Sequence, residues 1–177
     1  YDKNSQLVTG FYKQRTNDII ACDECLIQNE ESNAVIQRVK ELFVQYDIKP
    51  YDKTTHQGNI KHVLTKKGYH SEEFMLCFIT YQKKIKHIDQ IVEIIIQEFP
   101  HIKTIIQNIN ERHDNVILGD EEKILYGQGY IYDTLLKNQY KISLKSFYQI
   151  NPIQVEILYQ TAIDLAHLNQ DSVVLDA

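Results

Sequence analysis

Tryptophan is absent from this 177-residue chain, proline occurs 3 times, glycine 6 times and cysteine 3 times. So few chain-breaking residues exclude collagen-like and low-complexity architectures and predict few, mostly short loops. Cys22, Cys25 and Cys77 are an odd number, too few for a disulfide-stapled scaffold. With no basic-then-apolar leader at the start, the expectation is a reducing, cytoplasmic setting. No apolar run exceeds a few residues, so no segment is expected to span a bilayer. Positive charge is also short: the formal net charge of −5 excludes a uniformly basic nucleic-acid coat and leaves room only for a local basic patch. What is abundant is ordinary apolar material, 43% of the chain, with 12 tyrosines. That suits one globular domain, or a small domain and the start of another.

Periodicity places the elements. Gln6–Tyr12 and Asp18–Ala21 read as short strands rich in β-branched and aromatic residues. Val35, Val39, Leu42, Phe43 and Tyr46 form one apolar stripe on a helix from about Glu30, with Asn29 or Ser32 as cap and a stop before Pro50. Asn59–Lys67 and Glu73–Tyr81 read as a hairpin, and the run Phe74–Ile79 is apolar on both faces, hence central. Ile88, Ile91, Val92, Ile95 and Phe99 define a second helix ended by Pro100, and Lys103–Asn108 returns as a strand. This order predicts an α+β unit of the ferredoxin-like, split βαβ kind, with two helices over one face of an antiparallel sheet.

Near residue 110 the texture changes. Asn115–Gly119, Lys123–Tyr126, Tyr130–Leu136 and Tyr140–Leu144 read as a β meander, and Asn151-Pro152 as the cap and first residue of a third helix. Its stripe is Val155, Leu158, Tyr159, Ala162 and Ala166, and Val173–Leu175 then reads as a strand closing on Asp176. The division expected is 1–110 for a central α+β domain and 111–177 for meander, helix and first strand of a Rossmann-like domain.

Four motifs occur in order: Gln107-Asn108-Ile109-Asn110 with Asn115-Val116-Ile117-Leu118-Gly119, then Gly129-Tyr130-Ile131-Tyr132-Asp133, then Ser146-Phe147-Tyr148-Gln149-Ile150-Asn151-Pro152, and Val174-Leu175-Asp176-Ala177. Together they closely resemble the RNA (uracil-5-)-methyltransferases, especially the bacterial 23S ribosomal RNA branch. The resemblance implies a parent of three parts, an N-terminal RNA-binding domain, a central domain and a methyltransferase domain. This chain would cover the middle part and the leading edge of the last, a truncated domain unable to methylate alone. It implies S-adenosyl-L-methionine as cofactor and 23S ribosomal RNA as partner. The implied chemistry is attack of a Cys thiolate on carbon 6 of a flipped-out uracil, which activates carbon 5, with nucleophile and base both outside this chain.

Residue by residue, the resemblance places Gln149 at a cofactor-contacting position, its amide able to donate and accept. Phe147 would stack near the target base, a buried strand aromatic being the plain alternative. Cys22-Asp23-Glu24-Cys25 cannot close a tetrahedral metal site by itself. Its context resembles the segment carrying the last cysteine of a 4Fe–4S cluster in some members, with Cys25 as the match. The other ligands would precede Tyr1, so no cluster is expected on this chain. Lys61, His62 and Lys66 sit on one predicted hairpin where lysines facing phosphate would supply salt-sensitive affinity for RNA, the alternative being a solvated face. Helix 152–167 would pack its stripe on the meander or on a second copy of the chain. The rival to an enzyme is a stand-alone ferredoxin-like module that binds RNA or a small ligand without catalysis.

Overall fold

Every residue of the strand β4 (Phe74–Thr80) is buried, and the rest of the molecule is arranged so that both of its faces are covered. A computed structural model describes residues 7–16 and 18–175. In chain order the elements are β1 (Gly10–Tyr12), β2 (Ile19–Ala21), α1 (Glu30–Gln45), β3 (Ile60–Lys67), β4, α2 (Ile88–Glu98), β5 (Ile102–Ile109), β6 (Glu121–Gly127), β7 (Tyr130–Leu135), β8 (Asn138–Ser143) and α3 (Pro152–Ala166). The fold is mixed α/β, with a four-stranded sheet ordered β3-β4-β5-β6 and two separate two-stranded ribbons, β1-β2 and β7-β8.

Side chains alternate along β4, and the two sets meet different partners. Phe74, Leu76 and Phe78 face α1 and α2, where they pack with Val35, Val39, Leu42, Phe43, Ile91 and Ile95. The rings of Phe43 and Phe78 lie 5.6 Å apart and tilted by 58°, an aromatic pairing added to area burial. Met75, Cys77 and Ile79 face the other way, against Ile131 of β7, Ile142 of β8 and Leu144. Burial pushes the Cys77 thiol up to about 12, so it behaves as a small apolar residue, as its strand context predicts. α1 starts where Asn29 accepts from the Glu31 amide, and Arg38 bridges to Glu98 of α2 at 2.7 and 2.8 Å.

The split βαβ expectation is corrected by the pairing. β4 and β5 are direct parallel neighbours joined through α2, so nothing is inserted between them. The first strand, expected to begin at Gln6, which lies outside the described residues, does not enter the sheet. It is only three residues long from Gly10 and pairs with β2 next in sequence, since a local ribbon closes at lower entropic cost. The sheet is accordingly mixed rather than antiparallel.

Beyond residue 110 the meander also resolves differently. β6 pairs with β5, so the four-stranded sheet runs across that position, while β7 and β8 pair with each other. Asn115–Gly119 is not a strand because its carbonyls are taken by side chains. Asn110 Nδ2 donates to Val116 and Ile117, and the Asn108 amide closes a two-bond ring with Gly119. Gly119 passes so close to Ile109 that a Cβ would sit 1.9 Å from its carbonyl oxygen. Val173–Leu175, expected as a strand, pairs with nothing among the described residues, and a lone extended segment has no ladder to join. Asp176 lies outside them. Within the single chain the α3 stripe is not covered by the meander: of its residues only Val155 is buried, while Leu158 and Tyr159 are 60% and 42% exposed.

Truncating Phe78 to alanine is expected to cost about 3–5 kcal/mol through the cavity left on the helix side of β4. The exposed Val44→Ala on α1 should change stability by no more than about 0.5 kcal/mol. Urea midpoints of the two variants against the parent check the contrast.

Candidate functional site

The segment between β8 and α3 carries Phe147 and Gln149, and it is fastened from below by buried polar groups. Lys66, facing the same side of β3 as the core residue Leu64, donates from Nζ to the carbonyls of Ser143 (3.0 Å) and Ser146 (2.6 Å). Burial pushes the Lys66 ammonium below its ordinary range, and those carbonyls are what its charge is turned toward. Ser146 turns the chain back on Ser143 through an amide–hydroxyl bond of 3.1 Å. Two residues on, the Tyr148 hydroxyl donates to Asp133 Oδ2 at 2.9 Å.

Asp133 is the hub. It sits on β7 at an inward position between Ile131 and Leu135 and is 1% exposed. Besides Tyr148 it accepts from the amides of Tyr69 (2.8 Å), His70 (2.9 Å) and Ser71 (3.1 Å), the turn between β3 and β4. Gly68 lets that turn come close enough: a Cβ there would lie 2.2 Å from Ser71 Oγ and 3.1 Å from Asp133 Cγ. Burial raises the Asp133 carboxyl, but the Tyr69, Ser71 and Thr134 amides and the Tyr148 hydroxyl outweigh it and hold it below the usual carboxylate range. The Tyr148 phenol is pushed well above its own, first by burial and then by Asp133.

With Tyr148 drawn inward, Phe147 stands 83% exposed and touches no other ring among the described residues. The Gln149 side chain is half-buried and makes no hydrogen bond among them. Asn151 Oδ1 then accepts from the Gln154 amide at 3.1 Å and starts α3, with Pro152 at its first position. His70 Nε2 meets Glu156 Oε1 at 2.7 Å and ties α3 to the same turn that Asp133 holds. The arrangement presents an open aromatic face and an unpaired amide on a hydrogen-bonded support. The Gln149 amide, with both donor and acceptor free among the described residues, is of a chemistry that fits the polar groups of S-adenosylmethionine.

The structure brings Lys66, Phe147 and Gln149 together and leaves the other candidates elsewhere. His62 lies four residues back along β3, about 13 Å away at strand spacing, with its ring edge-on to Tyr12 at 6.2 Å. Lys61 donates to the carbonyls of Asn110 (3.1 Å) and Arg112 (2.6 Å) and lies over the Tyr51 ring. Cys25 occupies the loop before α1, half-buried, bonded through its backbone to the Asn33 side chain. Among the described residues no group of three or more His, Cys, Asp or Glu could hold a metal ion. Asp133 and Tyr148 stand in two of the quoted motifs, but their bond to each other, which supports the segment, is not visible in the motifs themselves. Asp133 nonetheless carries a signal: an acidic residue at the core-facing parity of an otherwise apolar strand must find partners.

A pH dependence follows. The Asp133 carboxyl is lowered by folding, so its contribution is full above the ordinary carboxylate value, about 4, and is lost as pH falls through the lower folded value. Asp133→Asn is expected to lose about 2–3 kcal/mol near neutrality, with the gap to the parent narrowing toward about pH 3. Denaturant unfolding of both proteins across that range measures it, and a gap that stays constant would refute the assignment.

No family model matches the chain. An RNA methyltransferase of uncharacterised specificity from Halalkalibacterium halodurans is 41% identical over 176 residues, 99% of this chain and 38% of that protein. One from Oceanobacillus iheyensis is 37% identical over 177 residues, and one from Streptococcus mutans 42% over 174, each with 39% of its own length covered. The fold is similar to that of a Pyrococcus abyssi tRNA (uracil-54, C5)-methyltransferase in complex with S-adenosyl-L-homocysteine. The TM-score is 0.71 at 24% identity, over 84% of this chain and 36% of that one. The chain spans rather more than a third of the length of these relatives, which are named as RNA methyltransferases, and it is similar to them along nearly all of its own length.

Proposed function

We propose that the chain is part of an S-adenosyl-L-methionine-dependent methyltransferase that modifies carbon 5 of uridine in 23S ribosomal RNA. The observation that carries this is the pair of presented side chains, exposed Phe147 and unpaired Gln149, on a segment clamped by Lys66 and Asp133. The cofactor would supply the electrophilic methyl group. Gln149 would hold one of its polar groups, and Phe147 would offer its face to a base taken out of the stack. The nucleophile and the base of the Cys–uracil route are placed outside residues 1–177, so this chain alone is expected to transfer no methyl group.

Lys61, His62 and Lys66 are proposed to contribute positive potential toward RNA, although Lys61 and Lys66 also bind backbone carbonyls. Cys25 is proposed as one ligand of a 4Fe–4S cluster whose other ligands lie outside these residues. No helix among the described residues is long and apolar enough to cross a membrane, and a cytoplasmic setting is proposed on the cysteine usage. The domain division proposed is 1–110 and 111–177, with the sheet spanning the junction through β6.

In the full-length protein, Gln149→Ala should raise the KM for S-adenosylmethionine about tenfold, the worth of one good hydrogen bond, with the stability unchanged. Labelled methyl transfer to unmodified 23S ribosomal RNA and to transfer RNA, with nucleoside analysis of the product, tests the rest. A product other than 5-methyluridine would sink the reading. The exposed face of α3, including Ile157 and Leu158, is proposed to join two copies of this chain. Sedimentation of the 177-residue chain should show a concentration-dependent dimer that Leu158→Glu abolishes.

A further inference from the structure

We propose that the groove between the β1–β2 turn and residues 114–117 holds the sugar–phosphate backbone of a single-stranded stretch of RNA. This rests on the reading of the protein as an RNA methyltransferase and gives the substrate a path well beyond Phe147. The concavity has a volume of about 580 Å³, and its walls carry Tyr12, Lys13, Arg15, Lys53, Lys61 and His62. In a protein of net charge −5 this concentration of cations is local. Among the described residues no carboxylate forms an ion pair with Lys13, Arg15 or Lys53. Asp114 is the one acidic residue on the walls, and it is engaged by the Arg112 guanidinium and the Val116 amide.

Lys53 and Lys61 are like charges acting on each other here, with the His62 ring beside them. Burial pushes both Lys61 and His62 below their ordinary ranges, and the nearby Lys53 ammonium lowers each further. Such crowding is unfavourable until an anion sits between the cations. The cations also alternate with aromatic faces. Lys53 Nζ lies 4.5 Å over the Tyr12 ring and His62 meets that ring edge-on, while Tyr12 itself remains 42% exposed. Charges spread along a groove, with a ring between them on which a base can stack, suit a flexible polyanion with π-faces. That is the chemistry of single-stranded nucleic acid. A free phosphate would occupy a fraction of the volume, and an acidic peptide would leave the ring without a partner.

The test uses the 177-residue chain and a fluorescent single-stranded oligoribonucleotide of about 12 nucleotides, followed by anisotropy from low to high salt. Combined Lys13→Glu, Arg15→Glu and Lys53→Glu should weaken binding by at least tenfold. It should also flatten the salt dependence by about two in log–log slope, at about 0.7 for each phosphate no longer neutralised. The neutral Lys13→Gln, Arg15→Gln and Lys53→Gln set should fall between, with an unchanged urea midpoint. Lys137→Glu, on the β7–β8 turn, should alter affinity less than twofold. Unchanged affinity in the charge-reversed protein would overturn the groove while leaving RNA binding elsewhere intact. Equal affinity for polyglutamate overturns it also. Failure of the parent chain to bind the strand overturns it too, whereas the methyl-transfer reading is judged separately by the Gln149→Ala assay.

Discussion

Burial of β4 on both faces is the constraint from which the remaining architecture follows. A strand reading Phe-Met-Leu-Cys-Phe-Ile-Thr has no solvent side, so one cover is not enough. Two helices supply the first, and their stripes are wide enough to bury Phe74, Leu76 and Phe78. The second comes from the β7–β8 ribbon through Ile131 and Ile142. At about 25 cal/mol per Å² of apolar area, this double cover is a large favourable contribution. It also brings β7 close to the β3–β4 turn, and the segment bearing Phe147 and Gln149 is fastened there.

That assembly rests on charge placed inside rather than at the surface. Asp133 is bound by three amides and a phenol, which makes it an internal cap for a turn that has no helix to cap. Lys66 does the complementary work with two carbonyls. Each group is costly to bury alone and stabilising once its partners are fixed. The consequence is that the irregular chain from Leu144 to Ile150 is anchored at Ser146 and Tyr148. Preorganisation of that kind is what a ligand-contacting amide and a stacking ring need, because less ordering is left to the moment of binding.

Much of this is legible in the residues. The three helices follow from stripes at three- and four-residue spacing and from the Asn29 and Asn151 caps, all of which are local signals. The centrality of Phe74–Thr80 is legible from its unbroken apolar run. Partner choice is not. Whether a three-residue strand enters a sheet or folds back on its neighbour depends on long-range competition that no periodicity encodes, hence the misplaced first strand and the mixed sheet. Asn115–Gly119 misleads for a related reason: its composition is strand-like, but Asn108 and Asn110 claim its carbonyls. Lysine roles are hidden as well, because the register shift between Ile60 and His62 breaks the simple alternation by which side-chain direction is read along β3.

Cations on this acidic chain therefore fall into two populations with different physics. Lys66 is half-buried and held by two carbonyls, so salt should touch its field less than that of the groove cations. Lys13, Arg15 and Lys53 line an open groove without carboxylate partners among the described residues, where every charge adds to a field that a polyanion feels and salt screens. Lys61 stands between the two, bound to the 110–112 carbonyls yet sharing a wall with Lys53. By tying the loop after β5 to β3, it fixes the far wall of the groove in the same way that Lys66 fixes the segment bearing Gln149. One strand thus positions both surfaces, and the spacing between the proposed base contact at Phe147 and the proposed backbone groove is set by the regular rise of β3.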